Sequence, residues 1–391
     1  MRILFGTKEI AGYQRGLVTA LKDLGVPCLR LELEPHAFSY DMPTELTFYI
    51  KPFVAGVRRF CVFRKKIMRK NGLAWALPRF LVCFVEALLR LPVFVWAAFS
   101  FDVFVFSYAS NFMGYFCGYH DLCLLKLLKK KVGFVFHGSD SRPPFMDGAH
   151  QAYAKTQPGD FIHNLKKLSD KQFHKIKKTD HLADFIIDNP TTAQFHNRAF
   201  FDFVKLGIPY DFSASQSVAV QIKNFVILHA PSNSLCKGTE RILKSIAVLK
   251  QKHPHIELRL LQNKSHKEVL KELAHCNLVV DQLYADFALP GLACEAAHFA
   301  KPVIICGHHD PATVQPNGVS CYVSPEELEA ALEDFILHPE KAKDLGQRVQ
   351  EFVQNEWTSQ LVAKRFLKII KGSCSELLVE PGSLHYIWGW G

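Results

Sequence analysis

The stretch "CEAAHFAKPVII" at residues 294–305 contains the pattern that decides the fold. One carboxylate, Glu295, stands in a row of small apolar residues, and a Pro-Val-Ile-Ile run follows it. The run predicts a buried parallel strand, and residues 292–300 predict a short helix whose small side chains allow close packing on the sheet. Ligands of open α/β folds bind at the carboxyl edge of the sheet, which is where this pattern places Glu295.

The residues around this stretch alternate between strand and helix patterns, which predicts an α/β domain over residues 213–356. A further helix pattern at 358–372 begins a predicted C-terminal helix and tail, 357–391. The predicted strands are 225–232, 256–262, 277–284 and 302–307, and the predicted helices are 238–252, 265–276, 292–300, 324–338 and 341–354.

The first half of the chain begins with a strand-helix-strand pattern over residues 2–33. Such a βαβ unit indicates a parallel sheet with right-handed crossovers. Similar apolar runs at 102–108, 131–138 and 183–189 predict further strands, so an α/β domain is expected over residues 1–212. The Ser- and Ala-rich segment 211–221 is typical of a linker.

Length and composition exclude several classes of protein. A chain of 391 residues exceeds the usual size of one hydrophobic core, which favours two domains. The 11 cysteines form no CxxC pair, which argues against a disulfide or zinc framework and favours a reducing compartment. The N-terminus shows no signal-peptide pattern, so a cytoplasmic protein is expected.

Charge is unevenly distributed along the chain. Residues 1–210 hold 29 Lys and Arg against 17 Asp and Glu, a net charge of +12, whereas the remainder holds 18 against 20, a net of −2. Residues 51–72 carry eight Lys and Arg, no acid and three Phe, and Arg64, Lys65 and Lys66 are among these cations. This composition suits an anionic lipid surface, where each cation contributes about 1 kcal/mol. A solvated face is the alternative, and nucleic acid is disfavoured because no groove-reading helix or zinc module is present.

The apolar stretch at residues 91–101 raises the question of a membrane segment. It is 11 residues long and contains Pro92, whereas a spanning helix needs about 20 apolar residues. A transmembrane helix is therefore not expected. A core helix that leads into the strand at 102 and an interfacial helix on a bilayer both remain open.

Three motifs together resemble the donor site of retaining glycosyltransferases with the GT-B architecture, most closely glycosyltransferase family 4. The family signature runs acid, seven residues, Glu-Ala, small residues and Pro-Val-Ile, and residues 294–305 fit its second half. Residues 229–243 resemble the family's segment that ends in Lys-Gly, and 279–284 its Asp-Gln strand. The resemblance implies two Rossmann-like domains facing a central cleft, with a C-terminal helix crossing back.

The resemblance also implies which residues hold a nucleotide-sugar donor. A carboxylate accepts two hydrogen bonds from a ribose diol, which suits Glu295. A lysine at a helix start adds charge where the peptide dipole is already positive, which suits Lys237 beside a diphosphate. The expected donor-binding residues are Gly12, Asn233, Lys237, Gly238, Gly291 and Glu295.

Two positions depart from the family pattern. The first acid of the signature falls on Phe287, with Asp286 one residue away, and the phosphate-binding Arg falls on Ser232. Asp286 is therefore a candidate for contact with the sugar, and Asn233 is a neutral donor in place of the Arg. Because neither Phe287 nor Ser232 carries a charge, a catalytically inactive protein is the alternative interpretation.

The segment "FHGSDSRPP" at residues 136–144 leaves a buried strand in the first half. The resemblance places His137 at the cleft beside the donor sugar, so His137 and Asp140 are the predicted catalytic residues, and Arg142 is a candidate sugar contact. A capping turn with a packed histidine is the alternative for the same residues.

The function implied by the resemblance is transfer of a sugar, with retention, from a nucleotide sugar to a saccharide or lipid-linked acceptor. No metal and no cofactor are expected, and a role in envelope polysaccharide or lipopolysaccharide synthesis is the associated interpretation. The expected location is the cytoplasm, peripherally on the inner face of the cytoplasmic membrane. The alternatives are an inactive membrane-bound partner of an active transferase and a sugar-nucleotide epimerase.

Overall fold

A computed structural model describes most of the chain, and the predicted linker at 211–221 lies outside the described residues. The chain divides into two compact units, called here the first and second domains. The first comprises Met1–Ser141, Gln172–Pro209 and Ser359–Gly391, and the second comprises Arg142–Lys171 and Tyr210–Thr358. The described residues are 1–10, 12–34, 46–68, 75–114, 118–150, 154, 159, 161–209, 224–314 and 318–381.

Helices and strands alternate along most of the described chain. In chain order they are β1 (Ile3–Thr7), α1 (Tyr13–Asp23), β2 (Cys28–Glu32), α2 (Lys51–Met68), α3 (Ala76–Ser100), β3 (Val103–Ser107), α4 (His120–Leu127), β4 (Lys131–Val135), α5 (Phe161–Leu182), β5 (Phe185–Asp188), β6 (Phe200–Asp202), α6 (Phe203–Leu206), β7 (Phe225–His229), α7 (Thr239–Lys252), β8 (Ile256–Leu260), α8 (His266–Ala274), β9 (Leu278–Val280), α9 (Gly291–His298), β10 (Val303–Cys306), α10 (Pro311–Val314), β11 (Cys321–Val323), α11 (Leu328–Leu337), α12 (Pro339–Glu356), α13 (Ser359–Lys371) and β12 (Leu378–Val379).

The first domain is built on a seven-stranded sheet in the order β12-β6-β5-β4-β3-β1-β2. All neighbours pair in parallel except β12, which is antiparallel to β6. The central strands are buried except for Lys131 at the start of β4 and are rich in Phe and Val, as expected for a sheet covered on both faces.

The C-terminal helix α13 returns to the first domain. Its Phe366 ring lies 5.6 Å from the ring of Phe5 on β1 and 6.2 Å from that of Phe185 on β5. Lys131 donates a hydrogen bond of 2.9 Å to the carbonyl of Ile370 near the end of the helix. The predicted return of this helix is thus explained by aromatic packing on the sheet.

The second domain has a five-stranded parallel sheet in the order β11-β10-β9-β7-β8. Its core contains Ile227, Val280 and Ile304 from three neighbouring strands, packed with residues of α7 and α11. The predicted strand at 302–307 and the short helix before it are both present, as β10 and α9. The small residues of α9 are buried, which confirms the close packing expected for this helix.

Helix α3 corrects the sequence interpretation of residues 91–101. The helix is 25 residues long, continues through Pro92, and is long and apolar enough by composition to cross a membrane. The expected length of 11 residues, on which the exclusion of a spanning helix depended, was therefore wrong for this helix. Only 39% of its most apolar window is buried in the protein. Proline in a helix interior removes one hydrogen bond, and burial of the neighbouring Val93 and Phe94 offsets that cost.

Buried ion pairs attach helices α2 and α3 to each other. Glu86 lies 2.6 Å from Arg90 on α3 and 2.6 Å from Arg64 on α2. Arg90 also donates a hydrogen bond of 2.7 Å to the carbonyl of Phe112. Arg64 is thus a buried structural residue, which corrects its expected place on a lipid-facing surface.

We expect Glu86→Gln to destabilise the first domain strongly. The variant leaves the buried guanidinium groups of Arg64 and Arg90 without the carboxylate that lies 2.6 Å from each. Glu34 remains at 3.9 Å from Arg64 and 3.7 Å from Arg90 and reduces the loss. Breaking a buried ion pair costs roughly 3–5 kcal/mol, so we expect the lower end of that range. Urea-induced unfolding measures the loss. Glu240→Gln is the matched control, since Glu240 is exposed in its pair with Lys244. Equal stability of the two variants would contradict the structural role of Glu86.

Candidate functional site

Lys237 lies after β7 at the carboxyl edge of the second sheet. Its Nζ is 2.6 Å from Oε1 of Gln282 and 3.3 Å from Oδ1 of Asp281. Gly238, which precedes α7, has φ 70°, and a Cβ there would meet Leu283 at 2.6 Å. The glycine therefore lets the chain turn tightly while the lysine stays at the start of the helix.

The loop before Lys237 is held by its own polar groups. His229 has its Nδ1 2.8 Å from the carbonyl of Val280 and its Nε2 2.9 Å from the hydroxyl of Thr239. Burial lowers the pKa of His229, which keeps the imidazole neutral in this position. Asn233 accepts hydrogen bonds from the backbone N–H groups of Leu235 and Cys236. The Asn233 oxygen is thus used to shape the loop, and a role in donor binding stays a prediction.

Glu295 lies in the second turn of α9, whose first residue is Gly291. Its Oε1 is 2.8 Å from Nε2 of His266, the first residue of α8. The side chain of Glu295 is 12% exposed and that of His266 is 43% exposed. His266 therefore holds the Glu295 carboxylate in place. The expected hydrogen bonds from ribose hydroxyls to Glu295 stay a prediction.

Asp286 and Arg142, the two candidate sugar contacts, bind each other. The Arg142 guanidinium forms an ion pair with Asp286 and a second one of 3.0 Å with Asp147. His309 lies 3.7 Å from the other oxygen of Asp286. Burial alone would raise the pKa of Asp286, but Arg142 and His309 outweigh it, so this pKa lies below its usual value. Asp286 is thus an ionised acid that is already neutralised by a guanidinium.

The loop between β1 and α1 carries an internal anion. The buried carboxylate of Glu9 accepts hydrogen bonds from the backbone N–H groups of Gln14 and Arg15 and lies 3.0 Å from Arg30. These N–H groups belong to the first turn of α1, where an external phosphate would otherwise bind. Gly12 has φ 77° and starts the helix. The expected contact of Gly12 with the donor stays a prediction. The positive φ of Gly12 is explained by the turn that leads into α1.

His137 follows β4 and lies at the carboxyl edge of the first sheet. Its Nε2 is 3.1 Å from Oγ of Ser107, which accepts a hydrogen bond of 2.9 Å from Gln14. The rings of Tyr13 and Phe203 contact it edge-on at 5.3 and 5.7 Å. Burial lowers the pKa of His137 to about 3. The imidazole is therefore neutral near pH 7 and suited to hydrogen bonding rather than to supplying a proton.

Asp140 is buried behind His137. Its Oδ1 accepts a hydrogen bond of 2.8 Å from the backbone N–H of His137, and its Oδ2 has no hydrogen-bond partner among the described residues. Burial, and then the nearby charge of Asp188, raise the pKa of Asp140 to about 7. The carboxyl group fixes the backbone of the His137 loop rather than its ring.

A doubly paired histidine supports this loop from behind. His196 lies 2.6 Å from Asp180 and 3.1 Å from Asp188, which in turn accepts a hydrogen bond of 3.0 Å from the hydroxyl of Ser141. Burial alone would lower the pKa of His196, but the two carboxylates raise it to about 9. The residue is thus a buried imidazolium that joins α5 to β5, and Asp188 in turn joins β5 to the segment after β4.

Two lysines surround an aromatic ring at the same edge of the first sheet. Tyr108 has φ 61°, and its ring lies 5.3 Å from Nζ of Lys8 and 5.4 Å from Nζ of Lys175. The Tyr108 hydroxyl is 3.4 Å from that of Ser139 in the His137 loop. Cations next to an aromatic face form favourable contacts, and Lys8 is also paired with Glu34 at 3.1 Å.

The structure brings some predicted residues together within each domain. His137 contacts Asp140 in the first domain, and Arg142 contacts Asp286 in the second. Sequence reasoning missed a set of supporting polar residues, although several of them end apolar strand patterns, a signal that could have identified them. Among the described residues no group of three His, Cys, Asp or Glu could hold a metal ion. The missed residues are Glu9, Gln14, Ser107, Asp188, His196, His266 and Asp281.

Sequence comparisons find no match, whereas structural comparisons find chains of similar fold. No protein-family model matches the chain, and no curated protein matches it significantly. Sucrose-phosphate synthase from Thermosynechococcus elongatus is similar over 96% of this chain and 99% of that chain, at 14% identity and a TM-score of 0.57.

HepE from Anabaena, solved in complex with UDP-glucose, is similar over 95% of this chain and 100% of that chain, at 13% identity and a TM-score of 0.53. Its complex with UDP and glucose gives a TM-score of 0.52 at 11% identity, over 95% of this chain and 99% of that chain. The two mainly parallel sheets and these near-complete structural matches confirm the predicted fold class, an α/β chain with the GT-B architecture.

Proposed function

We propose that this chain is a retaining glycosyltransferase, similar to glycosyltransferase family 4, that uses a nucleotide-sugar donor without a metal ion. The observation that carries the proposal is the near-complete match to HepE, which was solved with UDP-glucose. Lys237 and Glu295 support it, because both lie by the carboxyl edge of the second sheet, the binding edge of open α/β folds.

The donor is proposed to bind the second domain through two charged groups. The Lys237 ammonium and the N-terminus of α7 bind the diphosphate and stabilise its growing charge as the nucleotide leaves. The Glu295 carboxylate accepts hydrogen bonds from the ribose hydroxyls in place of His266. Asn233, Gly238 and Gly291 shape the loops around the diphosphate, and Gly12 is a further proposed donor-binding residue.

His137 is the proposed catalytic residue that contacts the transferred sugar. Its low pKa makes it a neutral hydrogen-bonding group, so it stabilises the sugar in the transition state without donating a proton as an acid. Asp140 acts through the backbone of His137, which it holds at 2.8 Å. Asp140 is therefore proposed to position the catalytic loop.

The acceptor is proposed to be a saccharide or a lipid-linked saccharide in envelope polysaccharide or lipopolysaccharide synthesis. The net charge of +12 in residues 1–210 supports an anionic partner for the first domain. We propose a cytoplasmic location, peripherally on the inner face of the cytoplasmic membrane.

A catalytically inactive partner of an active transferase is the second candidate. Phe287 and Ser232 replace charged residues of the family pattern, and Asp286 is already paired with Arg142. An inactive partner would bind a nucleotide sugar weakly or not at all. Hydrolysis of UDP-glucose by the purified chain decides between the two candidates.

Lys237→Ala should weaken binding of UDP far more than binding of uridine. Loss of a charge-assisted contact costs roughly 1.5–3 kcal/mol, or about 10- to 150-fold in affinity for the diphosphate ligand. Calorimetry with both ligands measures the difference. Lys237→Arg keeps the charge and should retain most of the UDP affinity, and Lys244→Ala is the exposed control. Equal losses for UDP and uridine in Lys237→Ala would assign Lys237 to folding.

Glu295→Ala should weaken binding of UDP and of uridine alike, because the ribose is common to both ligands. The expected loss is again roughly 1.5–3 kcal/mol, measured by calorimetry. His266→Ala is the matched control, since it frees Glu295 from its partner and should leave affinity unchanged or higher. Unchanged affinity in Glu295→Ala would exclude the ribose contact.

His137→Ala should slow the hydrolysis of UDP-glucose while leaving the affinity for UDP unchanged, because the residue is assigned to the sugar in the transition state. The residue is neutral above a pKa of about 3, so its titration should produce no step in the wild-type rate between pH 5 and 8. His174→Ala, on the exposed surface of α5, is the control. Loss of UDP binding together with activity would count against the assignment.

A further inference from the structure

Helix α3 presents an uninterrupted apolar stripe to solvent. Exposed residues recur every three or four positions along its whole length, which places them on one face of the helix. None of them is polar or charged, and their exposures run from 40% to 74%. They are Leu77, Phe80, Leu81, Phe84, Leu88, Leu91, Val95 and Phe99.

The opposite face of α3 is fixed inside the first domain. Glu86 and Arg90 are held in the buried ion pairs, and Val93, Phe94 and Ala97 belong to the hydrophobic core of the sheet. A helix that crosses a bilayer is surrounded by lipid or by other spanning segments over its full length. Because α3 keeps one face in the domain along most of its length, only the stripe is available to an apolar phase.

Helix α2 places cations beside this stripe. It runs antiparallel to α3, since Arg64 meets Glu86 while Gly56 faces Leu89. Val54 and Val57 of α2 lie in the same core as α3, so the outer faces of both helices point away from the sheet. The outer face of α2 combines cations with further apolar side chains: Lys51, Phe53, Arg59, Val62, Phe63, Lys65, Lys66 and Met68 are exposed.

We propose that the α2–α3 pair is a membrane-docking surface in which α3 lies in the plane of an anionic bilayer with its apolar stripe inserted and the cations of α2 contact the headgroups. The combination of a wide apolar face and adjacent lysines is that of an interfacial helix. The inference deepens the proposed function by giving the membrane partner a defined surface. It does not depend on the donor chemistry.

The charge around the stripe favours a bilayer over a second copy of the chain. Two copies joined through α3 would bring two basic α2 helices close together, and like charges oppose such contact. An anionic bilayer instead offers an apolar interior next to negative headgroups, which complements both parts of the surface. The docking also requires no conformational change in the buried face of α3.

Vesicle binding tests the surface. Wild-type protein should sediment with vesicles of phosphatidylcholine and phosphatidylglycerol, and the triple variant Leu88→Ser, Val95→Ser and Phe99→Ser should bind at least tenfold more weakly. The matched control is Leu127→Ser, Val248→Ser and Leu337→Ser, which removes exposed apolar side chains elsewhere and should bind as wild type does. Both variants should keep the wild-type melting temperature and UDP affinity.

The salt dependence of vesicle binding distinguishes the contribution of the α2 cations from that of the apolar stripe. Replacing Lys51, Arg59, Lys65 and Lys66 with Gln should remove the salt-sensitive part of binding and leave the part that the stripe provides. Wild-type protein that stays in the supernatant at low salt would overturn the proposal. So would a dimer in sedimentation velocity that the Leu88, Val95 and Phe99 variant dissociates without any lipid binding.

Insertion depth distinguishes an in-plane helix from a spanning one. Single variants Leu77→Trp, Leu88→Trp and Phe99→Trp can be compared with wild type in vesicles whose lipid chains are brominated near the headgroup or near the chain end. An in-plane helix predicts added quenching mainly by the shallow label at all three positions. Quenching of Leu88→Trp mainly by the deep label, with the other two positions shallow, would overturn the in-plane arrangement.

Discussion

The carboxylate of Glu86 determines how the first domain presents its surface. Two buried guanidinium groups share it, and one of them, Arg90, also bonds to the carbonyl of Phe112. Buried charges are tolerated only when they are paired, so the rotation of α3 about its axis is fixed by these contacts. Once that rotation is fixed, the leucines and phenylalanines on the other face have no place in the core. The exposed stripe is thus a direct consequence of the buried ion pairs.

The carboxyl edges of the two sheets use charge in different ways. In the first domain the acid Glu9 occupies the N-terminus of α1, and Asp140 fixes the backbone of the His137 loop. These internal carboxyl groups accept hydrogen bonds from backbone N–H groups that would otherwise be available to a phosphate. In the second domain Lys237, a cation, stands before the N-terminus of α7. The second sheet therefore offers the better edge for a diphosphate.

The sequence predicted five strands of the first sheet and four of the second, because long apolar runs bounded by turn residues are a local signal. It did not predict β6, β11 and β12, which are only two or three residues long. His137 follows β4 closely, Lys237 lies in the loop between β7 and α7, and Glu295 lies within α9. Their expected roles stay predictions. The sequence did not predict the His196 network, since its two acids are paired only through the fold. The length of α3 was missed because the apolar stretch was counted only from residue 91, after the charged Arg90, whose guanidinium is buried in an ion pair with Glu86. Glu86 and Arg90 are four residues apart and share one helix face, which is consistent with a long helix anchored on one side.

The second domain contains two contacts that a ligand could replace, His266 with Glu295 and Arg142 with Asp286. They differ in how much free energy their separation costs. His266 is 43% exposed, so its ring can turn away from Glu295 into water at little cost. Arg142 and Asp286 are 13% and 14% exposed, and Arg142 is also held by Asp147. Separating this second pair would leave buried charges without partners, which is expensive. A sugar is therefore expected to meet Arg142 and Asp286 as one paired unit, whereas Glu295 remains a carboxylate that a ribose can engage.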